Sequence, residues 1–375
     1  MTKLWLAPAT LIAALLLAAC GGDVGGGNDG DVTTAEAEGK ASGELVISNW
    51  PGYIDPGKDN TLAHFEEDTG VSVDYIEDVN SNTTFFGKVQ PQLDQGKSGD
   101  RSIFVVTDWM ARQMWDLGYL QEVNHDDLKT VFDNIRPAIE TGSNLDPDRE
   151  FSIPWQSGMT GIWVNEAEAP EITSVNDLFD PKYKGRVTML DEMRDTVPLV
   201  MKADGVDVEE ATEDDWMAAI DKIRDAVDSG QIRRFTGNDY TEDITSGNAV
   251  ASIGWSGDAS LISNDDAEWV MPDEGCMLWT DNMVIPVGAP NVTAAYEFMN
   301  YVYEPKVQAP ITDWVTYVTP VDGVQEIFEK ENNPLAKDPL VFPDDKFTAN
   351  CSTQINPPEE STEEITGEFE DVVSG

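Results

Sequence analysis

The chain has 375 residues, 71 of them acidic and 23 basic, for a net charge of −48. That balance argues against a nucleic-acid footprint, which requires a basic face, while 40% hydrophobic residues are enough for a sizeable core. The acidity is spread along the sequence rather than gathered in one tail. Most of it therefore reads as general surface chemistry, as in proteins that work in high salt, and its field also steers cations inward.

Residues 1–19 begin with Lys3, continue through the apolar run Leu4 to Leu17, and end in Ala18-Ala19 before Cys20. A charged start, a short apolar stretch and small residues at the cut site form a signal peptide, too short for a typical spanning helix. The Leu17-Ala18-Ala19-Cys20 ending resembles the bacterial lipoprotein signal, with Cys20 acylated as the mature amino terminus. A simple secretory leader with an incidental cysteine is the alternative. No later stretch approaches about 20 apolar residues, so the mature chain is expected outside the cytoplasm, held to the membrane only by lipid. Residues 20–43, rich in Gly, Asp, Ala and Thr, have no apolar period and read as a flexible tether with a reach of roughly 25 Å.

From residue 44 the pattern alternates strand and helix over about 330 residues, enough for two domains. Glu44–Ser48 is a short strand that stops at Asn49-Trp50-Pro51-Gly52, and a helix follows around Asn60–Thr69, ended by Gly70. Val71–Ile76 alternates as a strand, Phe85–Gln95 reads as a helix, Ser102–Val106 as a buried strand, and Met110–Leu117 as a helix stopped by Gly118. Further strands are expected near Gly161–Val164, Gly185–Leu190 and Val250–Trp255, with helices at Val197–Ala203, Glu213–Val227 and Thr241–Gly247. Ile365, Phe369 and Val372 at helical spacing make the acidic tail a docked final helix. The alternation points to an α/β fold of two lobes, each a mostly parallel sheet flanked by helices, with a ligand cleft at the strand ends. With Cys20 assigned to lipid, Cys276 and Cys351 remain as an even pair in an oxidising compartment, where a disulfide is expected. Two separate buried thiols are the alternative.

Catalytic and metal signatures are missing. His64 and His125 lack a second ligand at metal spacing, Gly96-Lys97-Ser98 lacks the leading glycine of a phosphate loop, and Gly254-Trp255-Ser256-Gly257 lacks the spacing of a nucleophile elbow. Neither a metal nor a cofactor is expected. What recurs is an aromatic ring beside a carboxylate at the ends of elements. Trp50 and Tyr53 follow the first strand, and Thr107-Asp108-Trp109 follows the buried one. Glu192 and Asp195 follow Gly185–Leu190, Trp255 closes a strand, and Trp279 and Asp281 share one side of an extended segment. Each has an ordinary role in a core or a cap. Together they suit an aliphatic chain with ammonium ends, because ring faces attract cations and carboxylates form charge-assisted hydrogen bonds.

The order of motifs resembles the spermidine/putrescine-binding proteins of ABC polyamine importers from about residue 44 onward. It runs Asn49-Trp50-x-x-Tyr53, Phe151-Ser152-Ile153-Pro154-Trp155 with Gly161-Ile162-x-Val164-Asn165, Pro181-x-Tyr183-Lys184-Gly185, Trp279-x-Asp281 with Ile285-Pro286, and Tyr317-x-Thr319-Pro320. The resemblance implies a two-lobed, type II periplasmic-binding fold that captures a polyamine by lobe closure and presents it to a permease, as a monomer without catalysis. Its cage aromatics fall on Trp50, Tyr53, Trp109, Trp255, Trp279 and Tyr317, its carboxylates on Glu192, Asp195 and Asp281, and polar contacts on Thr107 and Gln354. Thr107 stands where the family often has Ser, and Trp109 where it often has Tyr. At Glu192 the family commonly has Asp and at Asp195 commonly Glu, which leaves the preferred amine length open. The lobes are expected at 44–158 plus 281–327 and at 159–280 plus 328–375, with crossings near Ser157–Thr160, Trp279–Asp281 and Asp322–Ile327. Another cationic or amino compound on the same fold, such as an opine, a guanidino compound or ferric iron, is the alternative ligand. A surface carboxylate-pair hydrolase is the alternative of a different class.

Overall fold

A computed structural model gives the fold over residues 33–140 and 145–375. The leader and Cys20 lie outside these described residues. The first half of the chain forms β1 (Thr34–Ala35), β2 (Glu44–Asn49), α1 (Thr61–Thr69), β3 (Ser72–Glu77), α2 (Asn82–Leu93), β4 (Ile103–Thr107), α3 (Asp108–Asp116), β5 (Glu122–Val123), α4 (Lys129–Asn134), α5 (Pro137–Glu140) and β6 (Ile153–Asn165). It continues with β7 (Val187–Leu190), α6 (Met193–Ala203), α7 (Glu213–Asp228), β8 (Ile232–Thr236), α8 (Tyr240–Thr245), β9 (Ala251–Trp255), β10 (Ala267–Val270) and β11 (Met277–Val284). The last elements are α9 (Val292–Val302), α10 (Pro305–Val315), α11 (Val324–Glu331), β12 (Ser352–Thr353) and α12 (Thr362–Ser374).

Local chemistry sets several of these boundaries. The Asn60 side chain accepts from the Ala63 amide to start α1, and Gly70 ends it at φ 77°, a left-handed conformation that glycine adopts without strain. At α7, Thr212 and Asp215 satisfy each other's backbone amides in a reciprocal capping box. The final helix forms as the sequence predicts, with Ile365, Phe369 and Val372 buried against α7.

The strands run in the order β3-β2-β4-β11-β6-β9-β7-β8. β3, β2 and β4 are parallel, as are β9, β7 and β8. Between these two triples lie β6 and β11, long antiparallel strands that belong to both halves. Through Ser157–Thr160, β6 pairs with both β11 and β9, and through Trp279–Asp281, β11 pairs with β6 and meets β4. α11 packs on α10, and Phe328 meets Phe342 edge-on at 6.0 Å. Farther on, β12 pairs in parallel with the start of β11.

Cys276 and Cys351 are joined in a disulfide across 75 positions of sequence. Residues 33–43, expected as part of a flexible tether, are held to the folded body. Thr34–Ala35 pair in parallel with β5, the Tyr296 hydroxyl donates to the Ala35 carbonyl at 2.8 Å, and Ala41 is buried. Among the described residues no helix is long and apolar enough to cross a membrane.

Candidate functional site

Strand ends from both lobes surround one cavity, lined by aromatic rings and carboxylates. The first lobe contributes the loop after β2 with Trp50 and Tyr53, Asn82 at the start of α2, and Thr107 at the end of β4. The second contributes Asp195 from the first turn of α6, Trp255 at the end of β9, Asp258 in the turn beyond it, and Gln354 just past β12. Trp279 and Asp281 rise from β11, where the chain crosses, and a register shift between Asp281 and Asn282 bends the strand at that point.

The rings form a box. Trp50 meets Trp255 edge-on across the lobes at 5.5 Å, Trp279 meets Trp255 at 6.3 Å, and Tyr317 sits 5.4 Å from both Tyr53 and Trp279. All are edge-to-face, leaving ring faces toward their surroundings. Gly158 makes room for this on β6, since a Cβ there would lie 2.4 Å from the Trp279 ring.

Three buried carboxylates stand among the rings. Asp281 accepts from the Thr107 hydroxyl at 2.7 Å and the Tyr53 hydroxyl at 2.9 Å. Asp195 accepts from Thr160 at 2.5 Å and Gln354 at 2.8 Å. Asp258 accepts from Tyr240 at 2.5 Å, Tyr317 at 2.7 Å and Asn238 at 2.9 Å. Removal from water favours the neutral acid. Burial therefore lifts Asp281 to about 7 against the relief given by its hydroxyl donors, and lifts Asp195 and Asp258 to about 6. Every one of these protein partners is neutral. The indole N–H groups of Trp50 and Trp279 and the Gln354 carbonyl are buried without a protein partner.

All the expected ligand residues line this cavity except Trp109 and Glu192. Those two line a wider opening beside it, between α2 and α3 of one lobe and α6 and α12 of the other. Trp109 has its face covered by the Arg194 guanidinium, 4.0 Å from the ring centre. Glu192 turns away from the cavity to accept from the Asn82 amide at 2.7 Å and side chain at 3.1 Å. Burial, then the nearby Asp191 and Asp195, push its carboxyl up to about 8. Sequence reasoning missed Asn82, Asn238 and Asp258. Asp258 carried a readable signal, a carboxylate three residues beyond the strand-end Trp255, whereas Asn82 and Asn238 carried none.

The family described as bacterial extracellular solute-binding protein matches residues 60–343. The spermidine/putrescine-binding periplasmic protein of Escherichia coli is 26% identical over 314 residues, covering 83% of this chain and 86% of that protein. The putrescine-binding periplasmic protein PotF of the same organism is 29% identical over 338 residues, covering 83% and 85%. Among solved structures, the spermidine/putrescine ABC transporter substrate-binding protein PotD of Streptococcus pneumoniae superposes with a TM-score of 0.70 at 26% identity, covering 88% of this chain and 98% of that one.

Proposed function

Because this chain belongs to the bacterial extracellular solute-binding protein family, we propose that it captures a polyamine, spermidine or putrescine, by lobe closure and delivers it to an ABC importer. The observation that carries this reading is a set of three buried carboxylates, Asp195, Asp258 and Asp281, in an aromatic cavity whose lining includes no lysine or arginine. Buried acids without a cationic partner are unfavourable, and an ammonium supplies that partner. The rings meanwhile cover methylenes and attract the charge at roughly 0.5–2 kcal/mol per contact. An opine carries its own carboxylate and would meet repulsion here, so an unsubstituted amine fits better.

On this reading, Asp195 and Asp281 bind ammonium groups from opposite lobes, Asp258 offers a third position, and Thr107, Gln354 and Tyr53 orient the carboxylates. The leader supports attachment of the mature protein to the membrane through lipid on Cys20, leaving the two lobes outside. The test is a titration with putrescine, cadaverine, spermidine and spermine, followed by tryptophan fluorescence and calorimetry. Submicromolar to micromolar binding of at least one amine is expected, because Trp50 and Trp255 change surroundings on closure. Silence toward all four would overturn the proposal.

A further inference from the structure

We infer that the first turn of α6 is divided between cargo and closure: Glu192 and Arg194 latch the lobes through protein partners, and Asp195 alone of that turn meets the ligand. The inference rests on the solute-binding reading above. Glu192 and Arg194 line the wide opening and not the cavity, and each reaches a residue of the opposite lobe. The Glu192 carboxyl sits on the amino end of α2, a helix of 12 residues, where backbone N–H groups favour an acceptor. As the residue preceding α6, Glu192 would ordinarily cap that helix, yet it makes no side-chain cap there. Its oxygen is used across the cleft instead.

Arg194 makes the second point. Its guanidinium lies over Trp109 of α3, while its Nε donates to Asn356 at 2.7 Å on its own side of the cleft. The first point is also wired to the cargo. The Asn82 side chain donates to the Thr107 hydroxyl at 2.9 Å, and that hydroxyl donates to Asp281 at 2.7 Å. A chain of three hydrogen bonds thus runs from the latch in one lobe to a cavity carboxylate in the other. A third contact, from the Asn238 amide to the Asn80 carbonyl at 3.2 Å, closes the same seam.

The experiment compares wild type with Glu192→Ala, Glu192→Gln and Arg194→Ala by stopped-flow tryptophan fluorescence with putrescine and with spermidine. A latch sets dissociation. Both alanine variants should release amine faster, about tenfold for Glu192→Ala and roughly threefold for Arg194→Ala. Association rates and the putrescine-to-spermidine affinity ratio should be unchanged. Glu192→Gln keeps an oxygen for Asn82 and should stay within about twofold of wild type. If Glu192→Gln loses as much as Glu192→Ala and the affinity ratio moves, Glu192 touches ligand and the inference falls. It falls equally if neither alanine variant alters dissociation. Should Glu192→Ala fail to fold, Arg194→Ala still decides. Should wild type bind neither amine, the polyamine reading fails by itself. Small-angle scattering of the ligand-free proteins then judges the latch: larger radii of gyration in the alanine variants uphold it, and equal radii overturn it.

Discussion

Asp281 gathers two hydroxyl donors but no protein cation, so its charge has to be balanced by the cargo. Replacing it with Asn should weaken amine binding by about 2–5 kcal/mol, the range for losing one partner of a buried charged pair, as calorimetry would report. Acidity offers a second test. The pKa values of Asp195, Asp258 and Asp281 are raised by burial to between about 6 and 7, above the unfolded value of about 4. Their contribution to the stability of the ligand-free protein is therefore complete below about pH 4 and is lost as pH rises through about 6 and then 7. A polycation reverses the preference by requiring ionised acids. Binding near pH 6 should expel protons, seen as a dependence of the calorimetric heat on the ionisation heat of the buffer, and affinity should climb between about pH 5 and pH 8. At this scale the sequence disclosed Trp255, which ends its strand, and Asp281, which shares one side of an extended segment with Trp279. It did not disclose Asn82 and Asn238, because an amide at a loop edge looks the same whether it faces solvent or the opposite lobe.

Among the elements, the loops that face each other across the cleft leave little tolerance. A Cβ on Gly237, just before α8, would lie 2.2 Å from the Asn80 backbone carbonyl of the other lobe. Gly237→Ala should therefore hold the lobes apart, reducing amine affinity at least about tenfold, equivalent to roughly 1.4 kcal/mol, while the thermal midpoint of the ligand-free protein stays close to wild type. The helices and parallel strands were legible from periodicity and stop signals. The start of α2 at Asn82 rather than Phe85 was not, because Ser81 as its cap lies among other polar residues. Nor was the full length of β6, whose residues are buried along nearly all of its 13 positions. With both faces covered there is no alternation to read.

For the molecule as a whole, the net charge of −48 sets conditions on stability as well as on cargo. Mutual repulsion opposes the folded state and weakens as salt shortens the screening length from about 10 Å at 0.1 M to about 3 Å at 1 M. The thermal midpoint should rise with sodium chloride over that range, while amine association slows because steering is screened; scanning calorimetry and stopped-flow would follow the two trends. The two-lobed plan was legible because β-α alternation occurs on both sides of a long apolar segment. The parallel pairing of β12 with the start of β11 was not, since it joins positions some 75 residues apart.

The bent strand β11 has one more consequence. Asp281 lies where this strand passes between the lobes, so the pivot and the grip are the same few residues. Any rotation that parts the lobes leaves Asp281 with the Tyr53 and Thr107 hydroxyls beside it and carries Asp195 and Trp255 away, so an amine loses its second hold. Cargo then has no resting place in a half-open molecule, and whatever machinery pries the halves apart unloads them in the same stroke.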